Sequence, residues 1–280
     1  MRKLLLGSIV LMFSLAPHLA GAGPAQVEPP QTLPAGFETY RGYVFDLSEN
    51  SERKDVAAIA DALRRQLDVV ESAGLSPKVL QFFHTVPIIA SEMTCLDEGA
   101  GVACYGPVSP ERNQHMSSSF TTWDEGKLRW SNPNFVDLAA DAGPGVIMLR
   151  PVMLKHAEDP VLLHELLHAY HAKLMPQGFD NLGIRAYHAD AMAKKVFGKE
   201  EYAMKNHKEF FAVTASIFLA GKESMHEPKT REQLKEKLPK YYKYLVELFG
   251  FDPDPSNVTP VASTSSPPPQ SADAASSGGT

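Results

Sequence analysis

The stretch DPVLLHELLHAYHAKLMPQG, residues 159–178, contains the pattern H-E-x-x-H and a third histidine three residues further on. Asp159 is a good N-cap and Pro160 suits the first helical position, so we predict that a helix begins here. On that helix His164 and His168 lie one turn apart on one face, close enough to bind the same metal ion. A protein zinc site needs at least three ligands, so the motif requires a partner from elsewhere in the chain.

Two other residues of the stretch have distinct places relative to this metal. Glu165 is turned aside from the histidine face, so its carboxylate can take a proton from a water and later deliver it to a leaving amine. His171 shares the face but lies about 10 Å along the axis from His164, so we interpret it as a supporting or surface residue. The metzincin class requires glycine and histidine where His171 and Leu174 stand, which excludes that class.

A downstream carboxylate is the remaining source of the third ligand. The candidates are Asp180, Asp190, Glu200, Glu201, Glu209, Glu223 and Glu227. Glu209 differs from the others because it opens EFFAVTASIFLAG, an apolar helical stretch that must be mostly buried. A carboxylate there is either a capping charge or a metal ligand, and the upstream motif favours the ligand. Asp190, in AYHADAM, keeps open an aspzincin alternative, although the surroundings typical of that class are missing.

The two halves of this pattern resemble one known family. HELLHAYH, followed forty-one residues after His168 by Glu209 in YAMKNHKEFFA, is similar to the anthrax lethal-factor-like branch of the gluzincin zinc metallopeptidases. The resemblance covers residues 146–221. In that family a tyrosine seven residues before the ligand glutamate stabilises the oxyanion, and this position is Tyr202 here.

The resemblance implies a peptidase acting on peptides or proteins. One zinc ion would be held by His164, His168 and Glu209, and a water activated by the ion would be deprotonated by Glu165 as general base, which then acts as acid. The sequence departs from the family at Val213, where a second glutamate often stands, so the support of a ligand histidine can differ. The alternative is a catalytically inactive zinc-binding interaction protein that retains the peptidase fold.

The two ends of the chain predict export and a disordered tail. Residues 1–22 combine basic residues, a short apolar run and Ala-Gly-Ala, the layout of a cleavable signal peptide, so we expect a secreted or periplasmic protein. Residues 23–36 are a proline-rich leader and residues 253–280 are a Pro/Ser/Ala-rich tail. Residues 37–252 remain for the metallopeptidase domain, which is long enough to bury a core.

Charge and cysteine content narrow the partners further. Without Arg2 and Lys3 the chain keeps 25 basic against 33 acidic side chains, a formal net charge of 25 − 33 = −8, so a basic footprint for nucleic acid is absent. The same balance favours basic or neutral peptides. No second apolar segment is long enough to span a bilayer. Cys95 and Cys104 are predicted to form a disulfide, and a zinc knuckle would want two further ligands at short spacing.

The order of predicted elements indicates the α+β class, with strands before residue 150 and helices after it. With the resemblance, we expect a zincin-like metallopeptidase domain with a small N-terminal mixed sheet and a mainly helical C-terminal half. Predicted strands are 40–47, 85–90 and 145–151 with a hairpin at 120–130, and predicted helices are 51–72, 76–83, 209–219 and 230–249. The last helix should bend at Pro239. Strand 145–151 is predicted to be an edge strand that holds an extended substrate.

Overall fold

The computed structural model describes residues 33, 35–91, 102–106, 122–124, 129–131, 144–156, 159–223 and 225–254, all within the unit Leu33–Thr280. The predicted signal peptide, most of the leader and tail, and Cys95 lie outside the described residues. Export, the disordered tail and the Cys95–Cys104 disulfide therefore stay predictions. Within the described ranges, no helix combines the length and the apolar character needed to cross a membrane.

A five-stranded mixed sheet forms the N-terminal layer. In spatial order its strands are β1 (Phe37–Tyr40), β2 (Tyr43–Asp46), β3 (Ile88–Ala90), β7 (Val146–Leu149) and β4 (Ala103–Gly106). β2, β3 and β7 run parallel, whereas β1 is antiparallel to β2 and β4 is antiparallel to β7. A separate pair, β5 (Thr122–Asp124) and β6 (Arg129–Ser131), confirms the predicted hairpin.

The prediction that residues 145–151 form an edge strand is wrong. β7 pairs with β3 on one side and with β4 on the other, so hydrogen bonds occupy both of its edges. All four residues of β7 are buried, and an uninterrupted apolar run is typical of an interior strand covered on both faces. The outer strand next to it is β4.

The predicted strand 40–47 is interrupted by a turn. Arg41 and Gly42 both have positive φ, 49° and 88°, so the chain reverses between Tyr40 and Tyr43. A two-residue turn with positive φ at both positions matches the right-handed twist of the strands that it joins. The sequence YRGY therefore encodes a β1–β2 hairpin.

Seven α-helices complete the described fold. They are α1 (Val56–Ser72), α2 (Pro77–Phe83), α3 (Val161–Lys173), α4 (Leu182–Lys194), α5 (His207–Ala220), α6 (Arg231–Lys237) and α7 (Pro239–Phe249). α1 begins at Val56, five residues after the predicted start of this helix at residue 51. Leu238 leaves the helical conformation, so the chain forms two helices where the sequence predicted one helix with a bend at Pro239. The small mixed sheet followed by a mainly helical half confirms the predicted α+β class.

The start of α3 is set by a residue of α1. The helix begins at Val161 with Pro160 at the capping position, one residue later than the predicted cap, Asp159, and the predicted first residue, Pro160. The backbone N–H of Leu162 donates to Gln66 Oε1 at 3.0 Å, and Gln66 Nε2 donates to the carbonyl of Asp159 at 2.7 Å. Gln66 is fully buried, so these hydrogen bonds satisfy backbone groups that water cannot reach. They fix where the H-E-x-x-H helix begins.

The core lies between the sheet, α1 and α3, and continues between α3 and α5. α1 presents Ile59, Leu63, Leu67 and Val70 at helical spacing, and all four are fully buried. α3 and α5 are buried on nearly every side, because the residues between their polar ligating groups are also apolar. The two central helices are therefore held rigidly against each other, which fixes the side chains between them.

Candidate metal centre

The packing of α3 against α5 brings the three predicted ligands together. His164 Nε2 and His168 Nε2 lie 3.1 Å apart, and Glu209 Oε2 lies 3.2 Å from the first nitrogen and 3.3 Å from the second. The three side chains form a group that could hold a metal ion. Two ligands come from one turn of α3 and the third comes from the first turn of α5.

The spacing of these atoms suits a tetrahedral zinc ion. Zinc bonds of about 2.0–2.1 Å at tetrahedral angles place ligand atoms about 3.3–3.4 Å apart, close to the observed distances. Glu209 Oε2 is buried and makes no hydrogen bond of acceptable geometry, although both imidazole nitrogens are near it. A cation between the three atoms would compensate this buried oxygen, so the donor set fits zinc.

Glu209 is placed by the residues that begin α5. Asn206 caps the helix: its side-chain oxygen accepts hydrogen bonds from the backbone N–H groups of Lys208 at 2.9 Å and Glu209 at 3.0 Å. Because Asn206 fills the capping position, the Glu209 side chain is not the cap. Its carboxylate instead points into the interior, and Glu209 is only 5% exposed.

The charge state of Glu209 suits a ligand. Burial by itself raises the pKa of this carboxyl, but the nearby His164 and His168 outweigh burial and hold the pKa well below its usual range. Burial by itself lowers the pKa of His164. The negative charges of Glu209 and Glu165 outweigh this effect, so the pKa of His164 is raised. The group therefore presents an ionised carboxylate to the two imidazoles, as a cation site requires.

A cavity of about 230 Å³ opens beside this group and contains both predicted catalytic side chains. Glu165 lines the cavity and is 6% exposed. Tyr202, in the short turn Tyr202–Met204 before α5, lines it too, with its ring centroid 6.1 Å from that of His164. Val213 forms part of the wall, so its departure from the family pattern places an apolar group where a carboxylate would stand.

The other carboxylates considered as a third ligand do not join the ligand group. They lie either at the surface or at the wall of the cavity. Asp190 is on the exposed face of α4 and pairs with Lys194 at 2.6 Å, so it is not the third ligand of this group. Asp180 pairs with Arg185 at 3.4 Å on the surface. Glu223 lines the cavity without joining the ligand group.

Two residues around the site were not predicted from the sequence. His226 lines the cavity and stacks on Tyr202, with ring centroids 4.8 Å apart and planes inclined by 26°. Phe179 contacts His168 edge-on at 6.4 Å, and Lys208 Nζ lies 4.9 Å from the centroid of the same ring. Both residues lie in short irregular segments, where hydrophobic periodicity gives no signal.

His171 is buried rather than at the surface, so that part of its interpretation is wrong. It is 0% exposed and packs against Phe179 at 5.3 Å and Phe211 at 4.9 Å between ring centroids. Neither ring nitrogen has a hydrogen-bond partner. It does not belong to the ligand group, as predicted from its distance along the helix.

We expect the substitution His171→Leu to stabilise the fold by about 1 kcal/mol near neutral pH, because it removes a buried imidazole without partners. Burial, with smaller effects from neighbouring positive charges, lowers the pKa of His171 to about 3. Below pH 6.5 the unfolded chain binds a proton at His171 that the folded chain does not. The free energy of unfolding therefore decreases as the pH is lowered, until the pH reaches the folded-state pKa. The loss is about 1.4 kcal/mol per pH unit, or about 2 kcal/mol between pH 6.5 and pH 5.

Urea unfolding at pH 7 and pH 5, with a chelator present throughout, measures both parts of this expectation. The advantage of the leucine variant over the wild type should grow as the pH falls. His207→Leu is the matched control, because His207 Nε2 interacts with the carbonyl of Phe179 at 2.8 Å and its loss should destabilise. A leucine variant that is less stable than the wild type at both pH values would contradict the prediction.

Comparison with known proteins gives little beyond this geometry. No family model matches the chain, and no curated protein sequence matches it. Among solved structures, it is similar to the PRO-PRO endopeptidase PPEP-2 from Paenibacillus alvei, at 18% identity over 69% of this chain and 92% of that chain, with a TM-score of 0.38. At this distance the functional interpretation rests on the residues described above.

Proposed function

We propose that the chain is a zinc-dependent metalloendopeptidase of the gluzincin type, of the lethal-factor-like kind. One observation carries the proposal: three ligand atoms lie within 3.1–3.3 Å of one another, and Glu165 and Tyr202 line the cavity that adjoins them. A purely structural zinc site needs neither a carboxylate outside the ligand group nor a phenol next to an open cavity.

Each side chain then has a defined chemical role. A bound zinc ion would polarise the scissile carbonyl and acidify the attacking water. His164, His168 and Glu209 would hold the ion next to the cavity. Glu165 takes the proton of the attacking water and delivers it to the leaving amine, because its carboxylate lies in the same cavity without being a ligand.

Tyr202 completes the site by hydrogen bonding to the oxygen that becomes negatively charged. We expect Tyr202→Phe to lower kcat by about 10- to 100-fold with little change in KM, since the phenol acts mainly on the transition state. Steady-state kinetics on a cleaved peptide measure this, with zinc content determined in parallel. The tyrosine has no such role if kcat is unchanged, or if only KM rises.

The substrate would bind along β4. This strand is the outer strand of the sheet, and Ala103 lines the cavity beside His164 and Glu165. An extended peptide can add to an outer strand through backbone hydrogen bonds, which would carry its scissile bond to the metal centre. β4 thus replaces the strand to which the sequence assigned this role, and peptides or proteins are the proposed substrates.

The competing function is a zinc-binding interaction protein without turnover. It predicts bound metal, no cleavage, and no effect of Glu165 on its biological role. Incubation of a peptide library with the purified chain, with and without a chelator, separates the two proposals. Chelator-sensitive cleavage supports the peptidase, and intact peptides in the presence of stoichiometric zinc support the interaction protein. We also propose that the protein acts outside the cytoplasm, on the basis of its signal-peptide-like N-terminus.

A further inference from the structure

The cavity beside the metal centre has aliphatic walls and carboxylates. Val161, Val213 and Met225 supply apolar surface. Asp159 and Glu223 add carboxylates that belong neither to the ligand group nor to the proposed proton transfer. No lysine or arginine is among the described residues that line this cavity. Long side chains with an aliphatic stem and a cationic end match this combination of surfaces.

The carboxylate of Glu223 is fixed at the wall by its own loop. Glu223 Oε2 accepts a hydrogen bond from the backbone N–H of Met225 at 3.0 Å, and Oε1 accepts one from the backbone N–H of His226. The loop is closed by a bridge between Lys222 and Thr230. Backbone amides orient the carboxylate but carry no net charge, so its negative charge remains.

The charges of the loaded cavity do not balance without a ligand. Zinc brings two positive charges, and Glu165 and Glu209 offset them. Asp159 and Glu223 then leave a formal charge of −2. Asp159 is 5% exposed and lies near His156, with Nδ1 of the imidazole 3.6 Å from Oδ2. Burial and, to a smaller extent, the charge of Asp159 raise the pKa of Glu223, so a cation next to this carboxylate would stabilise its ionised form. Partly buried charges of one sign favour a ligand of the other.

The size of the cavity agrees with such a ligand. At ~30 Å³ for each water in the liquid, 230 Å³ corresponds to roughly eight water-sized volumes. Beyond the β-carbon, lysine has four non-hydrogen atoms and arginine has six. Either side chain fits with its stem along Val161 and Val213 and its cationic end at Glu223.

We propose that this cavity binds a lysine or arginine side chain next to the scissile bond, and that Glu223 is the specificity-determining residue. The inference rests on the proposed peptidase function, and it assigns to that site a substrate class. Asp159 lines the same cavity and contributes to the same preference.

A peptide series tests this proposal. Each of the two residues flanking the cleaved bond is varied among lysine, arginine, leucine and glutamate, and kcat/KM is measured for each peptide. We expect the wild type to favour the basic residue at one of the two positions, and Glu223→Gln to reduce the lysine-to-leucine ratio of kcat/KM by about tenfold. Met225→Lys places a cation on the wall without altering the Glu223 turn, and should shift the preference toward glutamate. Glu200→Gln, an exposed site, is the matched control and should keep the wild-type ratio.

The inference and the function on which it rests fail in different ways. Cleavage that shows no basic preference, or a preference unchanged in both Glu223→Gln and Met225→Lys, would overturn the inference and leave the peptidase standing. Absence of any chelator-sensitive cleavage would overturn the peptidase. In that case, calorimetric binding of the lysine and leucine peptides to zinc-loaded Glu165→Gln protein still decides the inference, because tighter binding of lysine supports it and equal binding refutes it.

Discussion

Replacing Glu165 by glutamine is expected to lower kcat for peptide cleavage by about 10³-fold or more, while one zinc ion per chain stays bound. Glutamine keeps the shape of the side chain and its place in the cavity, but its amide cannot accept the proton of the attacking water. Glu165 lies outside the group that could hold the metal ion, which consists of His164, His168 and Glu209. Catalysis and metal binding should therefore separate cleanly in this variant.

The measurement pairs steady-state cleavage of one peptide with metal analysis of the same preparation. Glu200→Gln is the control, because Glu200 is exposed and forms a surface ion pair with Lys199. Activity of the glutamine variant within tenfold of the wild type would remove Glu165 as the general base. Loss of zinc together with activity would place Glu165 among the residues that hold the metal.

Replacing Glu209 by glutamine is expected to weaken zinc binding by at least about 100-fold and to abolish cleavage. Loss of a residue that only supports a ligand commonly costs 10- to 100-fold in metal affinity, and loss of the ligand itself should cost more. The variant also leaves an uncharged amide beside His164 and His168 where an ionised carboxylate stood. The ion would then be held by two imidazoles alone.

Competition with a chromophoric chelator measures the affinity directly, and thermal unfolding with and without zinc measures it independently. Zinc at about 1,000 times its Kd stabilises the wild type by about 4 kcal/mol, and a hundredfold weaker site retains only about 1.4 kcal/mol of that at the same concentration. The control Glu223→Gln removes a nearby carboxylate outside the ligand group and should retain the zinc shift. An unaltered zinc shift in the Glu209 variant would mean that a different residue supplies the third ligand.

The metal centre could be predicted largely from the sequence because both of its halves are local patterns. H-E-x-x-H fixes two ligands on one helix, and the apolar stretch after Glu209 makes its carboxylate unusual. The packing of α3 against α5 is a tertiary contact, and the spacing of residues along the sequence does not predict it. The resemblance to a known family supplied the link, and it also supplied Tyr202, which on its own is indistinguishable from a packed tyrosine.

The errors lie where distant parts of the chain decide the outcome. Strand β7 was assigned to an edge because its neighbour β4, in GVACYG, has no clear alternation of polar and apolar residues. The first residue of α3 was misplaced because its partner, Gln66, lies almost a hundred residues earlier. Helix α4 was missed because it buries only Ile184 and Ala191, too few for a periodic signal. Glu223 and His226 reach the cavity from a loop, where no periodic pattern of apolar residues predicts their position.

The hydrogen bonds of Gln66 make the candidate metal centre dependent on the N-terminal half of the chain. The family-like motifs span residues 146–221, yet the two backbone groups at the head of their first helix are satisfied by a side chain from α1. Excision of the motif region would remove the acceptor of the Leu162 N–H and one of the two donors to the Asp159 carbonyl, and it would expose the apolar surface that α1 covers. The segment that carries the motifs therefore does not form an independent unit. Grafting it onto another scaffold would require α1 as well.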